Sequence, residues 1–536
     1  MAGGAALLLL PTGIAHATTV PGVAPDSAAG ACHALLPAAG RGQASAAAWV
    51  ERAIVAMGVP SDSQHVLHYR VSIAHELADE SDRPYPPFVQ TFSREEHWFD
   101  PATGVERRQS AAGKVDFLSG RHASFNMSGA KPVAAPRANG SLVASHAFNP
   151  WNVLSSWQHD SSVRVLGVCP YLDFDRVVVT RRGTLGEERL YLDSASAFPL
   201  KLETTELNYF LGPVHARYLY SAWWNIAPYA YYPISVIKQT DGLGQDTHTV
   251  FFGDGALVPR DSAPSLALPA GAALMPMIPP PRFGTEPTDT VRIGPQAFLL
   301  ANHAFTSVIA LAADTVYLFD APGGEARARH DSTWIPRLFP GRHPVELVLL
   351  NPIWPHIAGV RFWVAAGARV VAPRLAQTLV RRAVVRRWTE HPDRLEQRRL
   401  RGDSVALHIA EVTNARTLAG GAVRLYALHG IASEGLLMAW LPRDRFLWAS
   451  DRIQDVMHPS IYVSELLADV QRDGLQPAWT SGPHFHLIPW SEIQALDRAA
   501  AATRSSVSSN APGSMQPLSA IFRPPELTPA AAGPAR

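Results

Sequence analysis

The alternation of apolar and polar residues divides the chain into two parts with different periods. In the first part, Trp49, Ala53 and Met57 share one face of a helix predicted over residues 47–57. After this helix, short runs alternate apolar and polar residues as strands do, at 66–73, 96–99, 176–180, 189–192, 200–204 and 232–238. The pattern predicts a curved antiparallel sheet with one helix over residues 47–255.

From residue 289 the pattern changes to strands that alternate with helices. Apolar strands are predicted at 308–312, 315–319, 345–350 and 368–373. Residues 256–288 between the two parts are rich in proline, which removes backbone donors and favours extended chain. We therefore predict an α+β protein with a β-rich domain at 47–255, a linker at 256–288 and a second domain at 289–496.

Both ends of the chain lack the pattern of a folded domain. Residues 5–10 are apolar and precede Ala15-His16-Ala17, whose small residues one apart are typical of a signal-peptide cleavage site. We expect residues 1–46 to be a signal peptide and a flexible lead-in, which places the mature protein in the periplasm or outside the cell. The Ala-, Ser- and Pro-rich residues 497–536 predict a disordered tail.

The composition limits the possible partners. Lys and Arg number 47 and Asp and Glu 46, a net charge of +1, so the chain lacks the positive field of a nucleic-acid-binding protein. No apolar run reaches the roughly 18 residues that would predict a transmembrane helix. The two cysteines, Cys32 and Cys169, either form one disulfide in an exported protein or remain free thiols.

One stretch of the first part resembles the half-barrel of outer-membrane lipoprotein carriers. Leu190-Tyr191-Leu192-Asp193 is followed by a turn and then by Phe198-Pro199-Leu200-Lys201-Leu202. In that family a strand ends in Asp, turns, and returns through a Leu-Pro segment. The resemblance implies a sheet that holds a lipid or another small molecule, while aromatic residues that simply pack a sheet remain the alternative.

Four segments of the second part, in order along the chain, resemble the metallo-β-lactamase-fold superfamily. They are the loop at 351–360 after an apolar strand, the strand at 368–373, the hairpin at 435–451, and the segment at 481–484. The resemblance covers roughly residues 290–495. It implies a C-terminal αββα sandwich, in which two sheets pack face to face between layers of helices.

The resemblance also places the zinc-ligand positions of the family in this sequence, and several of them are degenerate. The positions of the first zinc site hold Asn351, Ile353 and Ala432. The positions of the second zinc site hold Pro355, His356, Asp451 and His484. An amide oxygen is a weak neutral ligand, and the other two first-site residues have no donor atom in their side chains. The first zinc is therefore not expected.

The second-site positions keep three competent ligands. His356, Asp451 and His484 are able to hold one zinc ion with an open position for water, but the mechanism that needs two metals is excluded. Pro355 removes a carboxylate and is expected to push Trp354 into an extended conformation. Three other histidines near these motifs are possible substitute ligands, namely His429, His458 and His486.

These observations leave two functions open. The first is an exported, hydrolase-like protein of metallo-β-lactamase fold whose two-zinc site is degenerate and which acts by binding an unknown small molecule or lipid. The alternative is a hydrolase with a single zinc on His356, Asp451 and His484 that activates water. The sequence does not decide whether the chain is an enzyme, and the fold does not select a substrate.

Overall fold

The structure is a computed structural model, and parts of the chain are described. The described residues are 45–59, 64–77, 89–111, 113, 115–119, 122–123, 147–171, 174–183, 185–208, 212–227, 230–240, 246–267, 275–276, 288–302, 305–389, 391–430, 433–453 and 461–509. The predicted signal peptide and Cys32 lie outside these ranges, as does most of the predicted linker.

The elements of the first part are mainly strands. The helices are α1 (Ala46–Met57) and α2 (Pro150–Gln158). The strands are β1 (His65–Leu77), β2 (Val89–Asp100), β3 (Val105–Ser110), β4 (Val115–Ser119), β5 (His122–Ala123), β6 (Arg164–Tyr171), β7 (Phe174–Arg182), β8 (Glu187–Asp193), β9 (Pro199–Asn208), β10 (Gly212–Ala227), β11 (Ala230–Thr240), β12 (Asp246–Pro259) and β13 (Met275–Pro276).

The second part alternates strands and helices. Its strands are β14 (Asp289–Gly294), β15 (Ala297–Ala301), β16 (Thr306–Ala312), β17 (Thr315–Phe319), β18 (Val345–Val348), β19 (Arg369–Pro373), β20 (Ile409–Val412), β21 (Ala415–Leu418), β22 (Val423–Ala427), β23 (Leu437–Leu441), β24 (Phe446–Trp448), β25 (Trp479–Gly482) and β26 (Phe485–Pro489). Its helices are α3 (Gly324–Ser332), α4 (Trp334–Leu338), α5 (Trp354–Ile357), α6 (Val360–Ala365), α7 (Arg374–Val385), α8 (Arg394–Leu400), α9 (Ile461–Arg472) and α10 (Trp490–Ser509).

In the described part of the chain, β1 to β13 form one antiparallel sheet in the order β13-β5-β4-β3-β2-β1-β12-β11-β10-β9-β8-β7-β6. The two helices α1 and α2 pack on one face of this sheet, where Trp49, Val50, Trp151 and Leu154 join buried residues of the strands in a single core. The predicted helix over 47–57 is confirmed, and it begins after Ser45, whose hydroxyl caps the first turn.

Two smaller sheets make up the second part. One has the order β14-β15-β16-β17-β18-β19-β20, and the other β21-β22-β23-β24-β25-β26. Strands β17, β18, β19 and β20 are mutually parallel, and β24 is parallel to β25, while the other pairs are antiparallel. The parallel pairs matter for the site, because parallel neighbours end at the same edge of a sheet.

The buried clusters show four layers in this part of the chain. Leu299 and Val348 of one sheet share a core with Leu437 and Trp448 of the other, so the two sheets pack face to face. On the outer face of the first sheet, buried residues contact α6, α7 and α8. On the outer face of the second, Met438 packs with residues of α9 and α10. Strand β23 is buried on both faces and accordingly reads as an unbroken apolar run.

Two predicted boundaries need correction. Strand β12 runs to Pro259, four residues into the predicted linker. The only proline of this strand is its last residue, so it does not interrupt the strand before it. Helix α10 runs from Trp490 to Ser509, so the tail that was predicted to be disordered from 497 is helical for its first thirteen residues. Alanine has the highest helix propensity, and the Ala-rich composition of this segment therefore favours a helix over disorder.

A close contact joins the first sheet to the helices of the second part. Arg386 donates a hydrogen bond to the carbonyl oxygen of Pro213 at 2.7 Å. At Gly212, which has a left-handed backbone with φ of 71°, a Cβ atom would lie 2.6 Å from the ring of Trp388. Val214 is buried in the cluster that contains α7 and α8. Glycine at position 212 therefore fits both the backbone conformation and the packing against the tryptophan.

The contact predicts the effect of adding one methyl group. Gly212→Ala should lower the free energy of unfolding by the cost of a left-handed alanine, about 1–2 kcal/mol, plus about 1–3 kcal/mol for overpacking against Trp388. Gly104→Ala is the matched control, since Gly104 has φ of 67° and open space around its Cβ position. Urea unfolding of both variants measures the difference, and the loss caused by Gly212→Ala should be smaller when it is measured in a Trp388→Ala background. Equal losses at positions 104 and 212 would show that the contact is absent.

Candidate metal site

Three of the sequence-predicted ligands lie together at one end of the two packed sheets. His356, Asp451 and His484 each offer one ligand atom, and these atoms all lie within 4.8 Å of one another. His356 is buried, Asp451 is half-buried and His484 is exposed. The site is therefore reached from solvent on the side of His484.

The strand order explains why these residues meet. His356 lies in α5, which follows β18, while Asp451 comes three residues after β24 and His484 lies in the turn between β25 and β26. The backbone of Ala449 donates to the carbonyl oxygen of Ser481, which ties the end of β24 to the end of β25. Because the strands end at the same edges of two sheets that pack face to face, the segments that follow them converge.

The distances at the site are close to those that a bound ion needs. His356 Nε2 is 3.6 Å from Asp451 Oδ2, and His484 Nε2 is 3.3 Å from Asp451 Oδ1. Ligand atoms around a tetrahedral zinc ion, with bonds of about 2.0–2.1 Å, are separated by about 3.4 Å. The two imidazole rings meet edge to face, with their centroids 5.4 Å apart.

His356 is a buried imidazole with an unsatisfied ring nitrogen. Its Nδ1 atom has no hydrogen-bond partner, and the 3.6 Å contact of Nε2 with Asp451 is longer than a hydrogen bond. Burial lowers the pKa of His356 to about 4, with Asp451 opposing the shift and His484 reinforcing it. At neutral pH His356 is therefore uncharged, which is the form that binds metal.

Asp451 is held in its ionised form. Burial alone would raise the pKa of this carboxyl, but His356, His484 and the side chain of Asn351 together hold it below its usual value. Its Oδ1 atom is buried and lies 3.3 Å from Nε2 of His484, with no other partner in the described part of the chain. The site thus places an ionised carboxylate beside a neutral, buried imidazole.

These three side chains match the donor set of a single zinc ion. Two imidazoles and one carboxylate are common ligands of zinc sites that keep an open position for water. Nε2 of His356 and Nε2 of His484 lie 3.6 and 3.3 Å from the two oxygens of Asp451, so one cation between the three side chains would bind atoms that the fold already brings together. The residues present therefore fit one divalent ion.

Asp320 was missed by the sequence reasoning, although it lies beside the site. Its carboxyl accepts hydrogen bonds from the backbone of Leu350 at 2.8 Å and from the indole of Trp448 at 3.3 Å. Burial raises the pKa of Asp320 to about 7 despite these hydrogen bonds. The signal in the sequence was a lone carboxylate directly after the buried strand β17 and before the turn Ala321-Pro322-Gly323.

Three of the four predicted degenerate positions can be placed, and the prediction for Trp354 was wrong. Asn351 lies at the site and donates to Asp451, while Ile353 comes directly before α5 and accepts from the backbone of His356. Trp354 is helical rather than extended, and Pro355 lies in the first turn of α5. Proline fits there because the backbone N–H groups of a first turn have no helical partner.

The three substitute histidines do not add a ligand within the described residues. His429 lies 3.3 Å from Asp469 and also contacts Arg472, on helix α9. His486 is exposed and is not part of the three-residue group. His458 and the first-site position Ala432 lie outside the described residues.

A cleft of about 360 Å³ opens next to His484. Phe305 lines it and also packs against both rings of the site, with centroids 5.7 Å from His356 and 5.5 Å from His484. The carbonyl oxygen of Phe305 accepts a hydrogen bond from the fully buried Arg327, which is paired with Asp331. A buried ion pair therefore fixes the wall that separates the cleft from the imidazoles.

The pKa of His356 predicts how stability changes with pH in the absence of metal. Its folded value of about 4 lies below the unfolded value of 6.5, so the unfolded state takes up a proton first as pH falls from 6.5 to 4. This group should cost the native state about 3 kcal/mol over that range. The test compares the free energy of unfolding of the parent with that of His356→Gln, both measured by urea unfolding in EDTA. We expect the parent value minus the variant value to rise by about this amount between pH 4 and 6.5.

Asp320 provides a comparison of opposite sign. Its folded pKa of about 7 is raised, so its contribution is present at low pH and is lost as pH rises toward 7. The same difference measured for Asp320→Asn should therefore fall with rising pH. A flat difference for His356→Gln would mean that the imidazole is solvated.

Comparisons with known proteins give low-level structural likenesses. No protein-family model matches the chain, and no curated protein matches it. The metallo-β-lactamase DIM-1 is 10% identical over 40% of this chain and 98% of its own, with a TM-score of 0.31. A metallo-β-lactamase from Hirschia baltica is 10% identical over 40% of this chain and 97% of its own, also at 0.31.

A second kind of structure matches at the same level. A LolA-superfamily protein from Nitrosomonas europaea is 16% identical over 42% of this chain and 95% of its own, with a TM-score of 0.30. Part of the chain is thus similar to structures of metallo-β-lactamases and part to a LolA-superfamily protein. At these identities and scores, the likenesses say nothing about activity or substrate.

Proposed function

We propose that the second part of the chain binds a single zinc ion through His356, Asp451 and His484 and acts as a metal-dependent hydrolase. The observation that carries this proposal is the convergence of three ligand atoms within 4.8 Å, with Nε2 of His356 3.6 Å and Nε2 of His484 3.3 Å from the Asp451 carboxylate. Of the two functions that the sequence leaves open, hydrolysis is supported by the position of His484, which is exposed beside a cleft where water and a substrate would reach an ion held by the three residues.

Each residue has a separate role in this proposal. His356 is fixed by burial in α5 and presents a neutral imidazole. Asp451 brings the negative charge that offsets the charge of a cation. His484 is the exposed ligand and faces the cleft in which a substrate would bind. When bound, zinc would supply Lewis-acid activation of water, which is the chemistry of single-metal hydrolases.

The proposed fold for residues 289–496 is the αββα sandwich of the metallo-β-lactamase superfamily. The four layers and the order of the site residues along the chain support it. For residues 47–255 we propose a carrier-like sheet, supported by two helices that cover one face of a long antiparallel sheet. The substrate is proposed to be a small molecule or a lipid. Among the described residues, no helix is long and apolar enough to cross a membrane.

Metal content tests the proposal directly. The full chain, loaded with zinc and freed of excess, should hold about one equivalent, because only one set of three ligands is present among the described residues. His484→Ala should abolish this binding. His486→Ala is the matched control, since it removes an exposed imidazole two residues away on the same hairpin, and it should leave the stoichiometry unchanged. Elemental analysis by mass spectrometry measures both.

Two outcomes would contradict the proposal. A folded chain that binds no zinc would leave only the ligand-binding function. Two equivalents in the parent, with one retained in His484→Ala, would require a ligand set other than these three residues.

We also propose that the protein is exported to the periplasm or beyond. Cys169 is buried and disulfide-bonded, and disulfides persist mainly in oxidising compartments. The only other cysteine of the sequence, Cys32, lies outside the described residues.

The disulfide predicts the thiol content of the protein. Chain isolated from an envelope fraction, unfolded in guanidinium chloride and treated with iodoacetamide without reductant, should show no alkylation at Cys169. After reduction, mass spectrometry should find both cysteines alkylated, and this sample is the control for access of the reagent. Alkylation of Cys169 before reduction would contradict the disulfide and remove the support for export.

A further inference from the structure

Asn351 occupies a fixed and buried position at the metal site. It is 1% exposed and comes directly after Leu350, whose backbone N–H donates to Asp320 and whose carbonyl oxygen accepts from Leu437. These two hydrogen bonds hold the backbone just before Asn351 between the two sheets. The direction of its side chain is thus set by the fold rather than by solvent.

The Asn351 amide divides the two oxygens of Asp451 between different partners. Its Nδ2 atom donates to Oδ2 of Asp451 at 3.2 Å. Oδ2 also lies 3.6 Å from Nε2 of His356. The other oxygen, Oδ1, lies 3.3 Å from Nε2 of His484 and has no other partner among the described residues. The amide therefore holds one oxygen, while the other faces the exposed histidine of the site.

We propose that Asn351 is a positioning residue for the single metal, which it orients by holding Oδ2 of Asp451. This inference rests on the proposed function, since it concerns the same site. Ligating carboxylates depend on hydrogen bonds to the oxygen that does not bind the metal, because those bonds fix the direction of the lone pairs. A neutral amide does this without adding a positive charge that would compete with the ion for Asp451.

The same contact explains how the site is complete without a second metal. By resemblance, position 351 would carry a ligand of a first zinc, and Asp451 would bridge two ions. Here an N–H group of Asn351 takes the place of one positive partner of the carboxylate, and Ile353 adds no donor atom. The chain therefore stabilises Asp451 with one ion and one hydrogen bond.

The affinity for zinc tests this role. Asn351→Leu keeps the approximate size of the side chain but removes the donor, and it should weaken zinc binding by about 10- to 100-fold. Competition with a chromophoric chelator measures the affinity in the full chain. Ile353→Ala is the matched control two residues away, and it should bind zinc as the parent does.

Cobalt provides a readout that a loss of packing would not move. Co²⁺ bound to the parent should give the visible absorption of a single coordination geometry, and Asn351→Leu should shift or broaden that absorption because the carboxylate can rotate. The unfolding midpoints of the two metal-free proteins show whether the variant folds.

The outcomes separate this inference from the proposed function. If the parent binds no zinc, the proposed function fails and this inference fails with it. If the parent binds one zinc and Asn351→Leu binds it with the same affinity and the same cobalt spectrum, the inference is overturned and the proposed function stands. If Asn351→Leu does not fold, Asn351→Ala replaces it, since it also removes the donor. Zinc affinity and a cobalt spectrum equal to those of the parent in Asn351→Ala would also overturn the role of the donor.

Discussion

The buried carboxyl of Asp320 joins the two sheets on which the site is built. One of its oxygens accepts from the backbone of Leu350, after β18 of the first sheet, and the other accepts from the indole of Trp448, in β24 of the second. Its own N–H donates to Val348. Through these bonds one side chain fixes the loop that leads to Asn351 and His356 relative to the strand that leads to Asp451. Burial of this carboxyl is costly, as its raised pKa shows, and the position of three functional side chains depends on it.

The candidate metal site has the opposite character, because its polar groups are fixed but incompletely paired. The backbone carbonyl of His356 accepts from Ala321, and the ring is packed against Phe305, so the imidazole has little freedom to turn toward another partner. Side chains that are held in this way cannot relax to satisfy their own hydrogen bonds, and the unfolded chain would leave them solvated. An ion that binds the folded site recovers the lost interactions, so its affinity is linked to the stability of the fold.

The part of this arrangement that could be predicted from the sequence was the part that depends on strands and their ends. His356 and Asp451 each follow an apolar run that predicts a strand, whereas His484 follows the segment Trp479-Thr480-Ser481-Gly482 and was placed by the resemblance alone. The hydrogen bond from Asn351 to Asp451 could not be predicted, because it joins residues one hundred positions apart and depends on the exact register of two sheets. Local rules also misled at Trp354, where the fit of proline in a first turn outweighs its effect on the preceding residue.

The contact between the two parts of the chain depends on the same helix layer that supports the site. Arg361, at the start of α6 and five residues after His356, is buried and paired with Asp393, and its guanidinium stacks on Trp388 at 4.6 Å. It also donates to the carbonyl oxygen of Arg386. Trp388 and Arg386 are the residues that meet Gly212 and Pro213, at the start of β10 in the first sheet. Arg361 therefore holds in place the surface that contacts the first sheet. It does so from the start of α6, directly after the helix that carries His356. The two parts of the chain thus share structural support and are not joined only by a linker.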